Sequence, residues 1–126
     1  GLFVTHYLLL GGPGETRDTI EETLDNAGRL EKTVLFFFCG IRIYPHTALH
    51  EIAVREGQIG ETDDLLDPVF YQSPGITSGE IMGLVKERAA DRENWFVGST
   101  PVRTTRLMAR LHRQGHVGPL WEHMIR

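Results

Sequence analysis

The chain has 126 residues, 40% hydrophobic and 24% charged, with a formal net charge of −4. Those values fit one globular domain with a real core, and the apolar runs fall short of the roughly 20 residues a membrane helix needs. Cys39 is the only cysteine, which excludes an internal disulfide framework and favours a cytoplasmic setting.

Gly1 opens directly on an apolar segment, with no basic leader and no initiator Met, as expected of a piece of a longer polypeptide. Residues 3–10 are rich in β-formers and aliphatics and predict a strand. Residues 11–14 predict a turn. Asp18 or Thr19, with Glu21 or Glu22 three residues on, predicts a capping box. Ile20, Leu24, Ala27 and Leu30 recur at helical spacing behind it. Residues 34–39, "VLFFFC", are too short for a helix and apolar on both faces, the pattern of a central strand in a parallel sheet; residues 40–43 are expected to continue it. The first 40 residues therefore read as a βαβ unit.

Beyond "YPHT", residues 48–56 predict a helix stopped by Gly57. Residues 57–75 read as loop, with Pro68 and Pro74 as breakers. Thr77 and Glu80 form a second capping box, opening a helix to about residue 91 with Ile81, Leu84, Val85 and Arg88 or Ala89 on its face. Thr100-Pro101 predicts a cap and first turn, and that helix should run to Gln114 before Gly115. The short "PLWEHMI" segment closes the chain. The expected architecture is α/β over residues 1–60, followed by a mainly helical stretch over 61–126. Residues 34–39 need a neighbour on each edge, and this reading supplies only one. Either a further strand is concealed or the partner comes from outside the chain.

The segment "LLLGGPGETRDTIEETL" is the most informative. At the C-terminal end of a parallel strand, glycines allow positive φ and close approach of a ligand, and the next helix offers unpaired N–H groups. A plain glycine-rich turn explains the same spacing. A P-loop is excluded because Glu15 and Thr16 stand where Lys and Ser/Thr belong, and a dinucleotide fingerprint lacks its third glycine. Glu15 would repel a pyrophosphate and suits a ligand with hydroxyls or an ammonium group.

Together with "VLFFFCGIRIYPHTALHEIAVREG", this segment resembles the back half of a radical S-adenosylmethionine enzyme. Leu8, Leu10, Gly12 and Glu15 occupy the positions of the family's Gly-x-Ile-x-Gly-x-x-Glu motif, with Leu8 departing from its first glycine. The common form G-x-P-G-E-T is matched by Gly11, Pro13, Gly14, Glu15 and Thr16. Tyr44, Pro45 and Thr47 match the family's P-Y-P-G-T, while Ile43 and His46 depart from it. Residues 65–122 are similar, more distantly, to extensions of the cobalamin-binding branch. The resemblance implies a partial (β/α) barrel of which this chain carries the last two βα units, in an oxidoreductase or a methyltransferase. It implies S-adenosylmethionine and a four-iron four-sulfur cluster in the parent protein, with cobalamin in that branch. It also implies a pocket including Leu10, Gly11, Gly12, Pro13, Gly14, Glu15 and Thr16, with Arg42 and Tyr44 on the next strand. The cluster-binding C-x-x-x-C-x-x-C is absent here, so this chain alone should hold no cluster and carry out no radical chemistry. Its expected partners are the upstream part of its own polypeptide and a small-molecule or lipid-like substrate. The alternative is a self-contained, non-enzymatic α/β binding or regulatory module.

Other residues read more simply. His46 and His50 have i, i+4 spacing but lack the H-E-x-x-H pattern, and read as solvated or capping groups. Cys39 reads as a buried, inert thiol, and Trp95 and Phe96 as core anchors between the last helices. "YQSPGI" is a candidate substrate loop. Arg103, Arg106, Arg110 and Arg113 form one stripe of the last long helix; a solvated face is the simpler reading, and an acidic chain is no dedicated nucleic-acid binder. An open apolar strand at residues 3–10 predicts that the isolated chain self-associates.

Overall fold

The computed structural model describes residues 2–98, 101–118 and 120–125. It is α/β, built on a parallel sheet of three strands. β1 (Val4–Leu10) leads through α1 (Arg17–Ala27) to β2 (Thr33–Cys39), which pairs with β1 along its whole length, Val4 opposite Thr33 and Leu10 opposite Cys39. β3 (Ile41–Arg42), α2 (Ala48–Arg55), β4 (Phe70–Tyr71) and α3 (Ser78–Ala89) follow. β5 (Trp95–Val97) then pairs with the other edge of β2. α4 (Pro101–Arg113) and a 3-10 turn at Trp121–Met124 complete the order.

β2 is thus central, as its composition predicts, and the concealed neighbour is β5. This corrects the reading of Trp95 and Phe96 as anchors between helices: both are strand residues, opposite Leu35 and Phe36. The mainly helical second half therefore contributes a strand to the sheet begun by the first. The expected continuation of β2 through residue 43 is also corrected. Gly40 adopts φ +88 and turns the chain away, and Ile41–Arg42 pairs antiparallel with Phe70–Tyr71 in a separate two-stranded ribbon.

Alternation gives the parallel sheet two different faces. Leu10, Leu35, Phe37 and Trp95 pack with Ile20, Leu24 and Ala27 of α1 and with Ile81, Leu84 and Val85 of α3 in one cluster. Both helices therefore cover the same face. On the other face Tyr7, Phe36 and Phe96 lie side by side across all three strands, with centroids 5.2 and 5.0 Å apart. Trp121 meets Phe36 edge-on at 5.5 Å, while Tyr7 and Leu9 remain 63% and 55% exposed. A second, smaller core joins Ile43, Ala53, Ile59, Leu65 and Tyr71 beside α2. Among the described residues the strands do not close into a barrel.

Helix starts follow local chemistry, with one shift. Thr77 and Glu80 form the expected capping box. For α1 the N-cap is Thr16, boxed with Thr19, rather than Asp18 or Thr19 boxed with an acid. Leu30 falls beyond the end of α1 and is exposed. The Thr100 cap and the side chain of Arg103 lie outside the described residues. Arg106, Arg110 and Arg113 are exposed.

Candidate functional site at the strand ends

The two motif-bearing segments meet at the C-terminal ends of β1 and β2. The N–H of Gly40 donates to the Leu10 carbonyl at 2.7 Å, and a Cβ on Gly12 would lie 3.2 Å from Cδ1 of Ile41. Leu10, Gly11 and Gly12 are buried, whereas Pro13, Gly14 and Thr16 are exposed. Positive φ at Gly11 (+93) and Gly14 (+79) shapes the turn.

Glu15 organises this turn from within. Its Oε2 accepts the N–H of Gly12 at 2.8 Å and the N–H of Gly11, and its own N–H donates to the Gly12 carbonyl at 3.1 Å. The carboxylate thus satisfies amides that would otherwise face a ligand. Thr16 is engaged as the α1 cap. The surfaces these leave for a ligand are Pro13, Gly14 and the second Glu15 oxygen.

A third segment, remote in sequence, clamps the turn. The N–H of Ser73 donates to the Gly11 carbonyl at 3.0 Å. Its buried hydroxyl donates to the Glu15 carbonyl at 2.7 Å and accepts the N–H of Gly75 at 3.3 Å. A Cβ on Gly75 would stand 2.7 Å from that Glu15 oxygen, so the approach requires glycine. The sequence marks "YQSPGI" as a candidate substrate loop, but its tie to Glu15 spans 58 positions and has no local signal.

Arg42 leaves β3 with its guanidinium 4.9 Å from the centre of the exposed Tyr44 ring. Its Nε is buried and lacks a hydrogen-bond partner among the described residues, so it is an available donor on the segment that abuts Gly12. Cys39 is half-buried rather than fully buried, its Sγ 4.0 Å from the Gln72 amide nitrogen. His46 is exposed at φ +64, and His50 has its N–H bonded to the Thr47 cap. No group of three or more metal-ligating side chains occurs among the described residues, and no helix there is long and apolar enough to cross a membrane.

Beneath the second core, the Tyr71 hydroxyl donates to Glu56 at 2.8 Å. Burial first, then this bond to a carboxylate, pushes the phenol above its ordinary pKa.

No family model matches the chain, and neither a curated protein nor a solved structure matches it.

Proposed function

We propose that this chain is part of a radical S-adenosylmethionine enzyme, of oxidoreductase or methyltransferase type, and that the turn from Leu10 to Thr16, with Arg42 and Tyr44, forms part of the S-adenosylmethionine pocket. The observation that carries the reading is that the chain leading into the second motif starts beside the first at adjacent parallel strand ends, Leu10 bonded to Gly40 and Gly12 against Ile41. Successive strands β1, β2 and β5 with α1 and α3 on one face are what a barrel wall requires.

The residues fit the two cofactors unequally. Cys39 alone cannot ligate a four-iron four-sulfur cluster, so the reading assigns the cluster to an upstream part of the polypeptide, and cobalamin, if the enzyme is of that branch, to the same parent. S-adenosylmethionine carries ammonium and hydroxyl groups, which suit the second Glu15 oxygen, and a carboxylate, which suits the orphaned Arg42 Nε. In this reading Glu15 and Ser73 hold the turn, and Arg42 and Tyr44 orient the ligand. The reading requires a C-x-x-x-C-x-x-C motif about 100–150 residues upstream, four βα units of roughly 30 residues each. A gene without it overturns the proposal. Arg42→Gln in the full-length protein should weaken S-adenosylmethionine binding about tenfold by calorimetry.

On its own, the chain is proposed to pair through the free edge of β1, which has no Asp, Glu, Lys or Arg along Val4–Leu10. Val4→Lys should then lower the light-scattering mass toward one chain. A second reading, a self-contained non-enzymatic binding module, is favoured by Glu15 completing the turn without a ligand. It predicts a monomer with a fully cooperative melt.

A further inference from the structure

A groove separate from the strand-end turn lies where α1 and α3 end. Its cavity of about 320 Å³ is lined by Leu24, Asp25, Gly28, Arg29, Arg88, Arg92 and Trp95, of which the three arginines, Asp25 and Gly28 decide its chemistry. Such a volume is at the small end of ligand pockets.

Three guanidiniums share this groove with one carboxylate. Arg88 is bonded to Asp25. Arg92 lies over the Trp95 ring at 4.7 Å, and its Nη1 donates to the Gly28 carbonyl at a long 3.4 Å. Arg29 donates to the Asn26 side-chain oxygen at 3.3 Å. Neither Arg29 nor Arg92 has a carboxylate within ion-pair distance among the described residues. The groove therefore carries two guanidiniums with no carboxylate partner among the described residues, on a chain whose net charge is −4. Gly28 forms the wall against Arg92: a Cβ there would stand 3.1 Å from its Nη2. The Trp95 ring beneath it positions the Arg92 guanidinium, whose remaining N–H groups are donors for a ligand.

The carbonyl ends of α1 and α3 lower the positive potential here, and dipole compensation by arginine is the simplest use of such residues. It does not require three arginines around one cavity. We propose that this groove binds a phosphate-bearing small molecule, the phosphoryl oxygens held between Arg29 and Arg92 with Arg88 poised by Asp25. Planar guanidinium forks match phosphoryl oxygens in pairs. A net-acidic chain gains nothing from unspecific anion attraction, so binding has to come from this local geometry.

The test is a titration of the 126-residue chain at low salt with inorganic phosphate, pyrophosphate and glycerol phosphate, followed by calorimetry and by the amide resonance of Gly28 and the indole N–H of Trp95. The expected result is saturable one-to-one binding, with both resonances shifted. Arg29→Gln and Arg92→Gln should each weaken it about tenfold, and Arg92→Lys less. Circular dichroism establishes that each variant is folded, and Arg106→Gln, on the separate stripe of α4, should bind as the parent does. Tighter binding of glycerol phosphate than of inorganic phosphate identifies an organic phosphate as the ligand class; the reverse identifies the free anion. Absence of saturation, equal affinity in the Arg29 and Arg92 variants, or loss of binding in Arg106→Gln would each overturn the proposal. None of these outcomes bears on the strand-end pocket.

Discussion

Glu15 shows how a residue that looks like a ligand contact can be a fixture of its own loop. One of its oxygens takes two backbone N–H groups, bonds to a charged acceptor in a half-buried place. Glu15→Ala should cost about 2 kcal/mol in urea denaturation, whereas Glu15→Gln, whose carbonyl can still accept, should cost less than half of that. Tyr71 makes a pH-dependent contribution. Its phenol is pushed up by burial and then by Glu56, so the folded state holds the proton more tightly than the unfolded chain does. The stabilisation is fully present below the unfolded pKa of about 10 and is lost as pH rises from there through the folded value. Thermal midpoints should therefore fall in alkaline solution, and the difference between the parent and Tyr71→Phe should shrink over the same interval. A difference that stays constant across that range would show that Tyr71 does not titrate with unfolding.

At the level of elements, the caps set where helices start more firmly than the charge pattern does. Thr77 and Glu80 bond reciprocally at the start of α3, and the Thr77 hydroxyl, followed by its N–H, holds the Glu80 carboxyl below its usual value. Thr77→Ala should destabilise the chain by about 1 kcal/mol in chemical denaturation. The carboxylate's share is present above the unfolded Glu value and lost as pH falls through the lower folded one. The penalty should therefore diminish in acid. α1 uses Thr16 and Thr19 for the same purpose, which leaves Asp18 to the dipole and Glu21 to an ion pair with Arg17 at 2.8 Å. β5 is only three residues long, and it is stabilised by what it joins: Trp95 packs on Phe37 at 4.7 Å, and the Gly98 N–H donates to the Phe37 carbonyl at 2.8 Å.

Across the whole molecule, the sheet is covered unequally. The α1–α3 face is closed by aliphatic packing, while the opposite face presents an aromatic row, with the edge of Trp121 against Phe36. Leu120 and Met124, both buried, hold that terminal turn in place. Trp121→Ala removes the edge contact and widens the exposed aromatic row, so stability should fall by about 1–2 kcal/mol in urea and binding of a hydrophobic dye should rise. Unchanged dye binding would mean that the row is already covered by another chain in solution. The edge of β1 and this open face together are the surface the proposed parent barrel would bury.

The sequence by itself determined what depends on near neighbours. The Thr77–Glu80 box, the stop at Gly57 and the buried faces of α1 and α3 follow from residues three or four apart, and the all-apolar composition of residues 34–39 predicts a central strand. It also singled out the turn at residues 11–16 and the segment at 42–47, because glycine and proline act on their own backbone. Only the tertiary structure decided that Trp95–Val97 is the third strand, that Gly40 diverts the chain into a ribbon with Phe70–Tyr71, and that Ser73 ties down Glu15. Arg29, Arg88 and Arg92 likewise converge only once α1 and α3 are packed side by side. The physical reason is the same in each case. A three-residue strand has no period to read, and a hydrogen bond or shared cavity between groups tens of residues apart forms only after the intervening chain has folded.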